Sequence, residues 1–174
     1  MSVLGVDIGV SGALALVDER GELEDVWEMP CLRDGPKNRR TINAPLLAEL
    51  VYKSHAARAF VEAVGPRPQE GAVGAFAFGD CKGVVRGVLA AAGVPLVFIQ
   101  PAQWKRVVNI PPGKSGSKDA ARAQAIGRWP KQADRFKLIK DDGKAEAALI
   151  AVAGLLRFSD NLVMLNGARN DSAA

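Results

Sequence analysis

Two acidic residues stand inside apolar runs of the sequence, where an acid needs a special reason. Asp7 lies in residues 2–8 and Glu62 in residues 58–64, and both runs are typical of buried strands. Burying a carboxylate costs free energy unless it is paired with a cation or bound to a metal ion. Capping of the next turn is the alternative explanation for Asp7. Two such acids in separate strands favour a shared site instead, because neighbouring strands would bring the carboxylates together at one end of a sheet.

A third group of acids opens the last predicted helix. Asp142 and Glu146 are four residues apart, so they lie on one helical face, and Asp141 directly precedes them. Like charges at this spacing repel each other, and a shared divalent cation would remove that repulsion. The alternative is a favourable interaction of N-terminal acids with the helix dipole, which explains Asp141 and Asp142 better than Glu146.

These acids form a set of oxygen ligands of the kind that Mg²⁺ or Mn²⁺ prefers. Two such ions about 4 Å apart can activate a water molecule and stabilise the leaving oxygen in phosphodiester hydrolysis. The single histidine, His55, and the two cysteines, Cys31 and Cys81, form neither a zinc cluster nor a nucleophilic triad. We therefore expect a hydrolytic site that uses two divalent ions.

Basic residues are concentrated in one part of the chain. Residues 101–140 hold ten Lys or Arg and only two acids, although the net charge of the whole chain is +4. Such asymmetry favours a surface that meets a polyanion, with a solvated, loop-rich surface as the alternative. Trp104 and Trp129 could stack on bases, but tryptophans among core elements more often belong to the core. The residues expected to contact nucleic acid are Arg67, Lys105, Lys114, Lys118 and Arg122.

The elements that must position these residues predict an α/β fold. Three strands at 2–8, 13–18 and 23–29 are joined by short turns and predict an antiparallel meander, followed by a loop at 30–42. Asn43 and Pro45 then open a helix. The further elements predicted are strands at 58–64 and 94–99 and helices at 72–93, 101–107, 118–128 and 141–157. The glycines of the long helix at 72–93 predict a tight contact within the chain or between subunits.

The chain length of 174 residues fits one domain, which we assign to residues 1–158, with a loose tail at 159–174. No run of about 18 apolar residues is free of charge, so no membrane span is expected. The N-terminal residues lack the pattern of a signal peptide. These features predict a cytoplasmic protein.

The chain resembles the RuvC family of Holliday-junction resolvases, and most of all its phage, bacterial and chloroplast branch. The matching stretches cover the chain from end to end and occur in the same order as in the family. No single stretch is decisive, but the ordered set is specific. The stretches are residues 3–15, 60–64, 78–89, 101–105, 118–122 and 140–151.

The resemblance implies a ribonuclease-H-like fold with a mixed five-stranded sheet, in which three strands are antiparallel and the others parallel, flanked by helices. It implies a homodimer whose paired sites nick two symmetric strands of a four-way DNA junction, with two Mg²⁺ ions, or Mn²⁺, in each site. The long glycine-containing helix would form the dimer surface. The metal ligands carried over by position are Asp7, Glu62, Asp142 and Glu146.

The sequence departs from the family in two places. The bacterial resolvase has two aspartates three residues apart in its last helix, whereas the position three before Glu146 is Gly143. This leaves Asp141 as an alternative ligand to Asp142. The loop after Glu62 holds no aromatic residue to open the junction, so any such wedge would differ, with Phe76 or Phe78 as candidates.

Three other functions compete with a resolvase. The stretch 7–12 resembles the phosphate motif of actin- and hexokinase-type ATPases, but those proteins need two duplicated halves, and 174 residues hold one. A non-cleaving DNA-binding protein with a degenerate nuclease fold would bind junctions without cutting them. A nuclease of RNA–DNA hybrids would share the acids but not the matches around the long helix and residues 101–122.

Overall fold

A mixed sheet forms the centre of the molecule. The computed structural model describes residues 1–65, 71–111 and 117–170, and only the backbone of 117–118 and 158–170. The strands are β1 (Val3–Asp7), β2 (Ala13–Val17), β3 (Leu23–Glu28), β4 (Cys31–Gly35), β5 (Arg39–Ile42), β6 (Arg58–Glu62) and β7 (Leu96–Ile99). Five of them form a sheet in the order β3-β2-β1-β6-β7, in which β1, β2 and β3 are antiparallel and β1, β6 and β7 are parallel. The predicted mixed five-stranded sheet is confirmed.

Helices cover both faces of this sheet. They are α1 (Ala44–Ser54), α2 (Ala72–Ala91), α3 (Pro101–Val107), α4 (Ser117–Arg128) and α5 (Asp142–Asn170). One core lies between the sheet and α1 and α2, and it includes Leu4, Val6, Leu47 and Val85. The other core lies between the sheet and α3, α4 and α5. Among the helices of the described residues, none is long and apolar enough to span a bilayer.

The close packing of α5 on β1 decides where the acids of these two elements meet. A Cβ atom placed on Gly5 would lie 1.9 Å from the carbonyl oxygen of Ala147 and 2.6 Å from the amide nitrogen of Ala151. Only a residue without a side chain allows the helix backbone to approach the strand this closely. The glycine of β1 therefore fixes the height and the register of α5 above the sheet.

Two parts of the sequence-based prediction differ from the structure. The sequence predicts a loop at residues 30–42, but β4 and β5 form a two-stranded hairpin there. The two strands are joined by a 3-10 turn at Pro36–Asn38, with Lys37 and Asn38 at positive φ. The hairpin lacks the apolar alternation that reveals most strands, because its side chains are mainly exposed. Helix α5 runs to Asn170, beyond residue 157 where the prediction ended it, since no proline or glycine interrupts 158–166. The domain boundary at residue 158 stays a prediction.

Candidate functional site

Asp7 and Glu62 end two neighbouring parallel strands at the same edge of the sheet. Val6 is paired in register with Val61, so the next residue on each strand, Asp7 and Glu62, lie side by side. Adjacent strands are about 4.8 Å apart, and residues aligned in this way point to the same face. Val6 and Val61 face the α1 and α2 side, so the two half-buried acids face the side covered by α5. The predicted meeting of these strands is therefore confirmed.

The turn that follows Asp7 is tight and depends on two glycines. Gly12 donates its amide hydrogen to Gly9, and a Cβ atom on Gly12 would lie 2.1 Å from the carbonyl oxygen of Asp7. Gly9 has φ of +140°, a conformation that L side chains rarely adopt. The two glycines therefore allow the backbone to fold back immediately after the acid.

The N-terminus of α5 lies directly against Asp7. A Cβ atom on Gly143 would be 3.2 Å from Asp7 Oδ2 and 2.7 Å from the carbonyl oxygen of Ser11. The position three residues before Glu146 is thus the position that points at the Asp7 carboxylate. At this distance from the Ser11 backbone, a larger residue would require the backbone to shift, which gives a physical reason for glycine at this position.

Lys144 fixes the rotation of α5 about its axis. Its ammonium group pairs with Glu28 of β3 at 3.1 Å and with Asp141 at 3.0 Å. Burial lowers the pKa of Lys144, but the hydrogen bonds to Asp141 and Glu28 outweigh it, so the pKa lies above its usual value. Because Lys144 faces β3, helical geometry turns Glu146 towards the opposite flank, on the side of β6. Glu146 is half-buried there.

The two acids at the start of α5 have different partners. Asp141 is 2% exposed, and its side chain accepts a hydrogen bond from the amide of Leu138 at 2.9 Å as well as the pair with Lys144. Asp142 Oδ1 lies 2.9 Å from Arg122 Nε of α4, with side-chain exposures of 13% and 14%. Asp141 therefore has a structural role in starting the helix, which favours Asp142 as the candidate ligand.

Trp104 is part of the site, which sequence reasoning missed. The side chain is fully buried, as the core interpretation predicted, and its indole Nε1 donates a hydrogen bond to Glu62 Oε1 at 2.8 Å. Lys105 Nζ lies 5.2 Å from the centre of the Trp104 ring. Trp104 could have been found from its position in the stretch 101–105, directly after β7. Ile99 of β7 is paired in register with Glu62, so the residues that follow β7 begin next to Glu62. The second tryptophan, Trp129, is buried at the other end and donates to the carbonyl oxygen of Gly21.

The predicted nucleic-acid contacts are distributed unevenly. Lys105 is half-buried beside the site, whereas the guanidinium of Arg122 is engaged by Asp119, Asp142 and the carbonyl oxygen of Lys137. This placement gives Arg122 an internal partner, and its phosphate contact stays a prediction. Lys118 belongs to α4, but its side chain is not described, and Arg67 and Lys114 lie outside the described residues.

The two candidate wedge residues differ in exposure. Phe76 is 81% exposed near the start of α2. Phe78 is half-buried and packs against the core on the α1 and α2 side. Of the two, Phe76 is therefore the more exposed to solvent.

The carboxylates at this edge provide the oxygen donors expected for a hard cation. In the part of the chain that the structure describes, no group of three or more His, Cys, Asp or Glu side chains is already gathered in a metal-binding arrangement. The pairing of Asp142 with Arg122 is one physical reason, since it directs that carboxylate to α4.

Comparison with known proteins gives matches among solved structures alone. No family model matches the chain, and no curated protein matches it. The structure of T. thermophilus RuvC in complex with a Holliday junction substrate is similar, with a TM-score of 0.63 and 19% identity over 88% of this chain and 91% of that chain. Another structure of Thermus thermophilus RuvC has a TM-score of 0.56 and 20% identity over 88% of this chain and 95% of that chain. The chain therefore has a RuvC-like fold of the ribonuclease-H-like type, as the resemblance implied.

Proposed function

We propose that this protein is a metal-dependent endonuclease that resolves four-way DNA junctions by cutting two symmetric strands. The observation that carries the proposal is the placement of Asp7 and Glu62 side by side at the edge of the sheet, with the start of α5 against Asp7. The likeness to a RuvC structure that holds a Holliday junction substrate supports the choice of branched DNA. We also propose that the protein acts in the cytoplasm of a bacterial cell or of a phage-infected host.

The residues present fit divalent metal ions by donor chemistry. Asp7, Glu62 and Glu146 are half-buried carboxylates, and Gly143 leaves the space beside Asp7 Oδ2 without a side chain. We assign these three acids and Asp142 as the ligands of two Mg²⁺ ions, or Mn²⁺. Asp142 requires a change of partner, because Arg122 now holds it. When bound, such ions supply activation of water and stabilisation of the leaving oxygen in phosphodiester hydrolysis.

The chain's own side chains position the reacting groups. Trp104 fixes one oxygen of Glu62 by a hydrogen bond to a charged acceptor, which holds the carboxylate in one rotamer. The cation of Lys105 lies against the same ring and would meet a phosphate at the site entrance. The packing of α5 on Gly5 and the pair of Lys144 with Glu28 keep Glu146 at a fixed height beside β6. These contacts make the site rigid before substrate arrives.

Homodimerisation is part of the proposal, because two symmetric cuts require two sites. Gly79, Gly83 and Gly87 form an exposed stripe on α2, and apart from the neighbouring backbone of α2 itself no described atom lies within 4 Å of a Cβ atom placed on any of them. The tight contact that this spacing predicts is therefore not made with the described residues of the same chain, which supports contact with a second subunit. Sedimentation analysis should show a dimer in wild type and a monomer in Gly83→Arg. A wild-type monomer at all concentrations would refute the dimer.

A cleavage assay distinguishes the proposal from its alternatives. Wild-type protein would be incubated with a labelled four-way junction, a linear duplex of the same sequence and an RNA–DNA hybrid, each with Mg²⁺, Mn²⁺ or a chelator. The proposal predicts paired symmetric nicks in the junction alone and no product with chelator. Cleavage of the hybrid alone would favour the hybrid nuclease. Tight junction binding without cleavage under either metal would favour a binding protein, an outcome to which the Arg122–Asp142 pair lends support.

A further inference from the structure

The β4–β5 hairpin is a basic arm whose role the proposed active site does not explain. Its strands and turn run from Cys31 to Ile42 and carry four exposed cations against one acid, Asp34, which is hydrogen-bonded to Thr41. Leu32 is the one large apolar side chain that the arm exposes among its described residues. The exposed cations are Arg33, Lys37, Arg39 and Arg40. The arm thus offers charge rather than an apolar surface.

The root of the arm is attached to the turn that follows Asp7. The amide of Met29 donates to the carbonyl oxygen of Gly12 at 3.0 Å, and the Cys31 thiol donates to the carbonyl oxygen of Val10 at 3.5 Å. Across the root, the amide of Asn43 donates to the carbonyl oxygen of Pro30 at 2.8 Å. The arm therefore has a fixed origin beside the candidate active site.

One cation of the arm reaches back to this turn. Arg40 Nη2 donates a hydrogen bond to Ser11 Oγ at 2.8 Å, and both side chains are exposed. Ser11 also provides the carbonyl oxygen against Gly143 at the start of α5. The positive charge of the arm consequently begins at Ser11, in the turn that follows Asp7. A strand of five residues extends about 17 Å, so the cations cover the space of several phosphates.

We propose that this arm is a phosphate clamp, which holds the nucleic-acid backbone flanking the bond to be cut. Guanidinium groups suit this role because their planar donors match phosphate oxygens. The attachment of the arm to the turn after Asp7 places the clamp at the edge of the candidate site, separate from the basic segment at 101–140. The inference rests on the proposed function for the identity of the polyanion, but the binding that it predicts needs no cleavage.

The clamp is tested by binding measurements on the full chain in a chelating buffer. The test variant is Arg33→Ala with Arg39→Ala, which removes two exposed cations and leaves Arg40 and the root contacts in place. The matched control is Arg20→Ala with Lys53→Ala, which removes two exposed cations outside the arm. Fluorescence anisotropy with a labelled four-way junction, at several KCl concentrations, would give the Kd and its salt dependence. Circular dichroism and urea midpoints equal to wild type would confirm that both variants fold.

If the arm is a phosphate clamp, the Kd of the arm variant for the junction should be higher than that of wild type by about tenfold or more. It also predicts a salt slope that is smaller by about 1.8, since each lost phosphate contact reduces the slope by about 0.9. The control variant should change neither value. Equal changes in both variants, no change in the arm variant, or a wild type that binds no DNA would overturn the clamp. If wild type binds the junction with the predicted slopes but never cuts it, the clamp stands and the proposed nuclease fails.

Discussion

Gly143→Ala is the substitution that most sharply tests the contact between α5 and Asp7. The new Cβ atom would lie 2.7 Å from the carbonyl oxygen of Ser11 and 3.2 Å from Asp7 Oδ2. A carbon and a backbone oxygen in contact need several tenths of an ångström more, and the oxygen belongs to a tight turn rather than a flexible side chain. The start of α5 must therefore move away from Asp7, or the turn must open.

Two opposing effects set the size of the change. Overpacking of a closely packed position costs about 1–3 kcal/mol. Replacing glycine by alanine in a helix interior favours folding by at most about 1 kcal/mol, and by less in a first turn. We expect a net loss of about 1–2 kcal/mol in the free energy of unfolding. Because the displacement occurs at the candidate ligands, the nicking rate should fall by about tenfold or more even in the fully folded variant.

Gly127→Ala is the matched control. Gly127 is an exposed residue of α4, and a Cβ atom there meets nothing within 4 Å. The control should be as stable as wild type or up to about 1 kcal/mol more stable, with an unchanged nicking rate. The measurements are urea denaturation followed by circular dichroism and single-turnover nicking of a four-way junction. A Gly143→Ala protein that matches the control in both stability and rate would refute the close approach.

Three further changes have expected outcomes. Trp104→Phe removes the hydrogen bond to Glu62, so Mn²⁺ affinity measured by calorimetry and the nicking rate should both fall about tenfold to a hundredfold. Arg122→Ala removes the guanidinium that pairs with Asp142, so stability measured by denaturation in chelator should fall by about 2 kcal/mol, and added Mg²⁺ should restore more of it than in wild type. Burial, helped by nearby Asp80, raises the pKa of the Cys81 thiol, so thiol labelling of Cys81 at pH 8 should be slower in folded than in unfolded protein.

Each of these outcomes has a control or a contradicting result. Trp129→Phe removes a hydrogen bond at the other end of the molecule, so it should lower stability without changing Mn²⁺ affinity. Equal Mn²⁺ affinity in Trp104→Phe and wild type would contradict the positioning of Glu62. Arg122→Lys should retain most of the stability, and an Arg122→Ala protein that Mg²⁺ protects no better than wild type would separate Asp142 from the metal site. Rapid labelling of folded Cys81 would contradict its burial in α2.

The sequence alone predicts those features of the site that depend on the pattern of neighbouring residues. Asp7 and Glu62 could be found because each interrupts a run of apolar residues, and the parallel pairing of their strands follows from the α/β order of elements. The buried state of Trp104 and Trp129 followed from their places among core elements. In these cases neighbouring residues carry the information.

Other features of the site depend on contacts between distant parts of the chain. The pair of Arg122 with Asp142 arises from the packing of α4 on α5, and nothing in either segment alone specifies it. The hydrogen bond from Trp104 to Glu62 requires that α3 follow β7 at the edge beside β6. The sequence predicts a loop where the β4–β5 hairpin lies, because the strands of the hairpin are exposed and polar. Residue type alone could not reveal these contacts.

The most direct test of the proposed site is single-turnover cleavage of a four-way junction by wild type, Glu62→Gln and Glu49→Gln in Mg²⁺. Glu49 is an exposed acid of α1 that pairs with Lys53, away from the sheet edge, so its variant controls for the loss of one negative charge. The proposed site predicts paired nicks by wild type and Glu49→Gln, and a loss of at least about a hundredfold in Glu62→Gln with junction binding retained. Full cleavage by Glu62→Gln, or metal-independent cleavage by wild type, would contradict it.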